Sequence, residues 1–288
     1  MSIEDRAPAW LVALHDGGEP EIAEQLRFNL RGMLAGWRQW PRAMDFLDPE
    51  SPNHAWKALM TRLYRQQMGN VLPPAPARVL DLACGSGRML APLLAAGYAV
   101  TGIDATRPSL EAAARHAPEA RLIWGDVAAV GTLVAGRFDA ILALELLCYV
   151  PDPRGVLTQL HALMEPGAPL VLSVEAWPGA FLADPHGLDG AAVQRALTRH
   201  ELVEPDVRHV RCYTAGDLEL LLEGAGFVDI RIAGTHYVLD GPLAALADPD
   251  QLDGGPYDEG LLALEESLAT DATLAGLPRA WIATARSR

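Results

Sequence analysis

The chain has 288 residues, half of them hydrophobic, which is enough to bury a substantial core and too apolar for an intrinsically disordered protein. Its 23 Lys and Arg stand against 37 Asp and Glu, a formal charge of −14, and Lys57 is the sole lysine. With no basic patch visible, nucleic acid and anionic membrane surfaces are excluded as expected partners. Cys84, Cys148 and Cys212 contain no CxxC pair, so neither a disulfide framework nor a cysteine zinc site is indicated.

In chain order, the first stretch, MSIEDRAPAWLVALHDGG, opens on acidic residues and its apolar run is too short for a signal peptide. Residues 20 to 70 carry helical patterns, EIAEQLRFNLRGMLAGW and HAWKALMTRLYRQQM, and the prolines of VLPPAPA end them. Residues 1–72 therefore read as a helical N-terminal lobe, and 73–288 as the main domain. From Arg78, ARVLDLA, YAVTGID, ARLIWGD, FDAILAL and PLVLSVEA are strand candidates separated by helical segments, the signature of a parallel sheet covered on both faces. The longest apolar run, MLAPLLAAGYAVTGI from Met89, is broken by Pro92 and two glycines and falls short of the roughly 18 residues of a membrane helix. A cytoplasmic protein without membrane association is the expectation. After an insertion at about 176–213, TAGDLELLLEGAGF is a helix with Thr214 as N-cap and Gly226 at its stop, and FVDIRIAGTHYVL and RAWIATARSR supply two late strands. The fold class that results is α/β, a doubly wound, mostly parallel sheet of seven strands.

The segment VLDLACGSGR, residues 79–88, carries the chemistry. A dinucleotide fingerprint GxGxxG would use Gly85 and Gly87 but meets Leu90 in its third slot, and no Gly-Lys-Ser/Thr follows for a phosphate loop. What remains is DxAxGxG. Asp81 at the end of the first strand would repel a pyrophosphate but suits a nucleoside ligand carrying an ammonium group.

Asp81-Leu82-Ala83-Cys84-Gly85-Ser86-Gly87 resembles the first motif of the class I S-adenosylmethionine-dependent methyltransferases, with Ala83 where many members have Gly. Three further segments match in order: Asp104 ending YAVTGID, Asp126 in LIWGDV, and FDAILALELLCYVPDP followed by Met164-Glu165-Pro166-Gly167-Ala168. The resemblance implies a Rossmann-like methyltransferase fold that binds S-adenosylmethionine and releases S-adenosylhomocysteine. It further implies that Asp81, Ala83, Gly85 and Gly87 hold the methionine end, Asp104 and Ala105 the ribose, Asp126 and Val127 the adenine, and Leu144 offers backbone contacts to the methionine part. No metal is expected.

The same resemblance makes the chain a methyltransferase acting on an N or O atom, with C less favoured, of a small molecule. The absence of an NPPY-like tetrapeptide, where this chain has LELL, argues against a nucleic-acid acceptor. A non-catalytic cofactor-binding regulatory or partner subunit and a nicotinamide-dependent oxidoreductase are the alternatives, and either a monomer or a homodimer is compatible. For catalysis, Tyr149 stands where relatives often carry His, and His186, His200 and His209 lie in the insertion expected to roof the acceptor site. Trp37, Trp40, Phe46, Trp56 and Tyr64 are expected to pack the lobe onto the sheet, with one or two facing the acceptor.

Overall fold

The computed structural model describes residues 3–183, 190–204 and 208–288, so His186 lies outside the described residues. A two-residue strand β1 (Glu4–Asp5) precedes helices α1 (Ala9–His15), α2 (Glu24–Gln39), α3 (Pro41–Met44) and α4 (His54–Met68). Strand and helix then alternate: β2 (Arg78–Leu82), α5 (Leu90–Ala95), β3 (Ala99–Asp104), α6 (Arg107–His116), β4 (Arg121–Trp124), α7 (Val130–Leu133), β5 (Ala140–Ala143), α8 (Pro153–Ala162) and β6 (Pro169–Glu175). The expected insertion contains α9 (Gly179–Leu182), α10 (Gly190–Arg199) and strands β7 (Glu201–Glu204) and β8 (Arg208–Arg211). The chain ends with α11 (Ala215–Gly224), β9 (Val228–Thr235), α12 (Pro256–Thr270) and β10 (Ala280–Arg286).

Among the described residues the main sheet has eight strands in the order β1-β4-β3-β2-β5-β6-β10-β9, and β7 and β8 form a separate antiparallel pair. All seven strands read from the sequence are present. The eighth is β1, which pairs parallel to β4 through Glu4 and Asp5. Two residues are too short to show an alternating pattern, so this edge is invisible in the sequence. β10 runs antiparallel between β6 and β9, and the other pairings are parallel.

Burial explains the strand patterns. β5 and β6 are buried at every position, as strands covered on both faces must be, whereas the edge strand β9 alternates along most of its length. One apolar cluster, with Leu80, Leu82, Ile141 and Leu172, lies on one face of the sheet. The other face, with Val79, Leu142, Val171 and Ile282, packs against Leu11, Leu30, Leu34 and Tyr64 of the N-terminal helices. Thr214 caps α11 in a capping box with Asp217, and Gly226 follows at φ +95°, as the sequence indicates.

Helix α2 is tied to the β7–β8 hairpin by Asn29 and Gln25, the latter donating from Nε2 to the His209 carbonyl at 3.3 Å. Asn29 is 8 % exposed. Its Oδ1 accepts from the His209 N–H and its Nδ2 donates to the His209 carbonyl, both at 2.7 Å, so the amide stands in for a neighbouring strand. Asn29→Ala removes both bonds, leaving the His209 N–H without this acceptor and its carbonyl with Gln25 Nε2 at 3.3 Å, and is expected to cost about 1–3 kcal/mol. Thermal unfolding would register this as a drop of several degrees, and an unchanged midpoint would refute it.

Candidate active site

Strand order reverses between β2 and β5, and in open α/β sheets the carboxyl ends at such a point form the ligand crevice. Asp81 on β2, Asp104 on β3, Asp126 just beyond β4 and Leu144 just beyond β5 all fall on that edge. The turn after β2 bends through left-handed backbone at Ala83 (φ +55°), Gly85 (φ +55°) and Gly87 (φ +89°). A Cβ on Gly87 would lie 3.2 Å from Ala113 Cα and Cβ, so this glycine lets α6 press against the loop. A Cβ on Gly85 would meet nothing within 4 Å: that position faces open space.

Asp81 is 3 % exposed and its carboxylate forms no hydrogen bond among the described residues. Burial pushes its carboxyl pKa up to about 7, Arg88 pulling against this and Asp104 adding to it. Asp104 is buried but makes three hydrogen bonds. Its Oδ2 accepts from the Gly85 N–H at 2.9 Å, and its Oδ1 accepts from the Thr106 N–H at 2.7 Å and the Thr106 hydroxyl at 2.6 Å. Burial raises its pKa while these bonds oppose the shift. A carboxylate offers about four acceptor sites, so one remains for a ligand.

At the far end, half-buried Asp126 accepts from the Ala128 N–H at 2.9 Å and so caps the short turn that begins at Val127. Burial raises its pKa, and that bond opposes the rise. The Ala105 carbonyl is held by the His15 ring at 3.0 Å and accepts from Trp124 Nε1 at 2.9 Å.

The N-terminal helices reach these same residues. Trp37 Nε1 donates to Ser109 Oγ at 2.9 Å, Ser109 lies 2.5 Å from Thr106 Oγ1, and Thr106 donates to Asp104, a relay from α2 to the acid of β3. The Phe46 N–H donates to Ser86 Oγ at 3.0 Å. The Arg88 guanidinium lies over the Phe46 and Tyr64 rings, 5.1 and 5.0 Å from their centroids. Trp40, by contrast, is 63 % exposed.

Beyond β5 lies a second group of polar side chains. Glu145 has φ +54°, an uncommon conformation for a non-glycine residue, and its Oε1 accepts from Arg88 and from the Tyr64 hydroxyl, each at 2.9 Å. Burial alone would raise the Glu145 pKa, but the Arg88 guanidinium above all holds it at about 2. Glu175, at the end of β6, accepts from Arg279 at 2.9 Å and from Arg208 at 3.3 Å. Tyr149 is half-buried near Glu145 and Glu175, and burial followed by these negative neighbours raises its phenol pKa well above the usual value.

The three residues expected to act in catalysis thus separate. Tyr149 sits with the Glu145 and Glu175 group. His200 stacks on Trp177, with ring centroids 4.6 Å apart, and His209 Nε2 lies 3.7 Å from Glu201 across the hairpin. Among the described residues neither ring makes a hydrogen bond or ring contact with Asp81, Arg88, Glu145 or Tyr64. No group of three or more His, Cys, Asp and Glu among the described residues is arranged to hold a metal ion. Sequence reasoning did not single out Arg88, Glu175, His236 or Arg279. Only Arg88 has a local signal, as the residue directly after the glycine turn.

A doubly wound sheet with a glycine turn after β2 and acids at successive strand ends defines a nucleoside-binding Rossmann-like fold of the methyltransferase type. Residues 53–232 match the family described as a methyltransferase domain, and the chain belongs to that family. Among curated proteins it is similar to the ubiquinone biosynthesis O-methyltransferase of Psychrobacter arcticus, 32% identical over 173 residues, covering 57% of this chain and 63% of that protein. The protein of the same name from Xanthomonas axonopodis pv. citri is 33% identical over 145 residues, covering 49% of this chain and 59% of the relative. The chain thus spans less than two thirds of the length of these relatives. Among solved structures, a methyltransferase of Thermotoga maritima described as a possible histamine N-methyltransferase superposes with a TM-score of 0.52 at 15% identity, covering 86% of this chain and 99% of that one. The 1,6-didemethyltoxoflavin-N1-methyltransferase of Burkholderia thailandensis gives 0.51 at 19%, covering 93% and 92%. At these identities the likeness is one of fold. Among the described residues, no helix is long and apolar enough to cross a membrane.

Proposed function

We propose that the chain is an S-adenosylmethionine-dependent methyltransferase that methylates an oxygen, or secondarily a nitrogen, of a small molecule. The observation that carries this reading is Asp81, a carboxylate buried to 3 % exposure with no hydrogen-bond partner, beside a glycine turn open to solvent at Gly85. A buried acid of this kind is costly unless a cation meets it, and the ammonium of the cofactor's methionine end is such a cation. Asp104, with one acceptor site left, suits the ribose; Asp126 with the Val127 backbone suits the adenine; Ala83, Ala105 and Leu144 complete the wall. The bound cofactor supplies an activated methyl group.

The chain's own residues hold and enclose. Once donor and acceptor are fixed in line, positioning accounts for much of the rate. Residues 1–72 serve as the lid of the acceptor site in this reading, because Phe46 bonds Ser86 of the cofactor loop, Tyr64 bonds Glu145, and Trp37 bonds Ser109 of α6. The acceptor is small because the chain carries a charge of −14 and shows no basic surface patch in its sequence. Oxygen is preferred because the similar curated proteins are named O-methyltransferases.

Isothermal titration with S-adenosylmethionine tests the reading. Wild-type protein is expected to bind, and Asp104→Ala to bind about 100-fold more weakly, the equivalent of one or two charged hydrogen bonds. Folded wild-type protein that releases no heat with the cofactor and gains no thermal stability from it would overturn the proposal.

A further inference from the structure

His236 follows β9 in the stretch GTHYVL, with φ +60°. Its ring is 1 % exposed, and its Nδ1 lies 2.9 Å from the Leu239 carbonyl. A carbonyl can only accept, so Nδ1 carries the proton and Nε2 presents a bare lone pair. That Nε2 is enclosed and has no partner among the described residues. An unmet buried acceptor costs roughly 1–3 kcal/mol and calls for an explanation in a folded protein.

The surroundings hold this arrangement firmly. Glu265 of α12 accepts the N–H groups of Tyr237, Val238 and Leu239 at 2.9, 2.7 and 2.8 Å, which fixes the loop carrying the Leu239 carbonyl. The His236 ring lies 5.1 Å from the Tyr64 ring, and the Tyr64 hydroxyl bonds to Glu145 and lies 3.1 Å from Ser173 Oγ. Glu145 follows Leu144 directly, at the expected methionine end of the cofactor crevice, and its side chain is 40% exposed. Two further enclosed atoms without partners, Glu175 Oε2 and Thr235 Oγ1, belong to residues that face each other through Ala280 across β6, β10 and β9. Arg88 Nη1, whose guanidinium bonds Glu145 through Nη2, is likewise enclosed without a partner among the described residues, so unmet donors and acceptors both occur here.

Resting on the methyltransferase reading above, we propose that His236 Nε2 is the proton acceptor for the methyl acceptor, a neutral small molecule bearing a hydroxyl group. The acceptor's hydroxyl donates to Nε2. Its oxygen forms the new bond to the methyl carbon as the sulfur–carbon bond breaks, with the bonding electrons left on sulfur, and the hydroxyl proton passes to Nε2. The imidazolium returns that proton to water. The groups facing His236 are Tyr64 from α4, Glu145 after β5, Arg279 before β10 and Glu265 from α12. Burial, more than any of these, lowers its pKa below 6.5, which keeps the ring neutral at physiological pH.

Two measurements test this. In the nitrogen-15 spectrum of the full chain saturated with S-adenosylhomocysteine, His236 is expected as the Nδ1-protonated tautomer, with Nε2 moving toward the protonated range when phenol is added. A proton on Nε2, or a resonance that phenol leaves unmoved, overturns the proposal. His236→Asn keeps a donor for the Leu239 carbonyl and removes Nε2. In transfer of labelled methyl groups to a panel of phenols, its kcat is expected to fall about 100-fold or more, with cofactor affinity unchanged and the acid limb of the kcat profile lost. A kcat within threefold of wild type, or an intact acid limb, overturns it. A wild-type protein that does not bind the cofactor overturns the methyltransferase reading instead, a result that titration separates from the state of the His236 ring.

Discussion

Asp81→Asn is expected to melt about 5 °C higher than the wild type in the ligand-free state at pH 8, and to bind S-adenosylmethionine about 100-fold more weakly. The reason is the buried, unpartnered carboxyl, with a pKa pushed from 3.8 to about 7. Between these two values the unfolded chain is ionised while the folded protein still holds its proton. Folding is therefore penalised progressively as the pH rises through this window, and the penalty is complete above about 7. A shift of this size corresponds to roughly 4 kcal/mol, of which asparagine recovers about half because its own amide is also left unpartnered. Melting curves at pH 8 and pH 4 check the sign: the advantage of the variant should shrink to a small remainder at pH 4, where the folded wild-type carboxyl is protonated and the unfolded one is close to its midpoint. Wild-type cofactor binding should also weaken below pH 7, since an ammonium needs the ionised acid, while the variant shows no such dependence. Equal melting temperatures at pH 8 would contradict the argument.

Glu265→Ala should be the more damaging change. The carboxylate is 2 % exposed and accepts three backbone N–H groups, from Tyr237, Val238 and Leu239. Its loss leaves those donors buried and unmet, a cost of about 3–5 kcal/mol, or roughly 10 °C in a protein of this size. It also frees the Leu239 carbonyl that orients His236, so turnover should fall even at temperatures where the variant is folded. Glu265→Gln, which keeps an acceptor oxygen, should recover part of both losses. An alanine variant that melts within a degree or two of wild type would show that the loop is held by other means.

The elements most legible in the sequence were those whose signal is local. β2, β3, β5 and β6 are apolar runs because both faces of the sheet are covered, and the Thr214 and Gly226 signals bracket α11 because caps act within four residues. The glycine turn after β2 could be read for the same reason: Gly85 and Gly87 adopt positive φ angles that other residues rarely take. Edge strand β1 could not, because two residues carry no period. The acceptor side was opaque for a different reason. Tyr64 meets Glu145 across 81 positions and Arg279 meets Glu175 across 104, and no spacing rule spans such intervals. His200 and His209, chosen because they lie in the insertion, turn toward Trp177 and Glu201, while His236, passed over, has the enclosed free nitrogen.

Taken by itself, the chain of residues determined the alternation of strands and helices, the order of the acids Asp81, Asp104 and Asp126, and a family resemblance that the comparisons support, because each depends on backbone preferences and burial within a few residues. Only the tertiary structure decided which side chains share the crevice. Packing of α4 and α12 against the segment after β9 sets Glu145, Tyr64 and His236 beside one another, and the electrostatics of such a group arise from burial and proximity that exist only once the chain has folded.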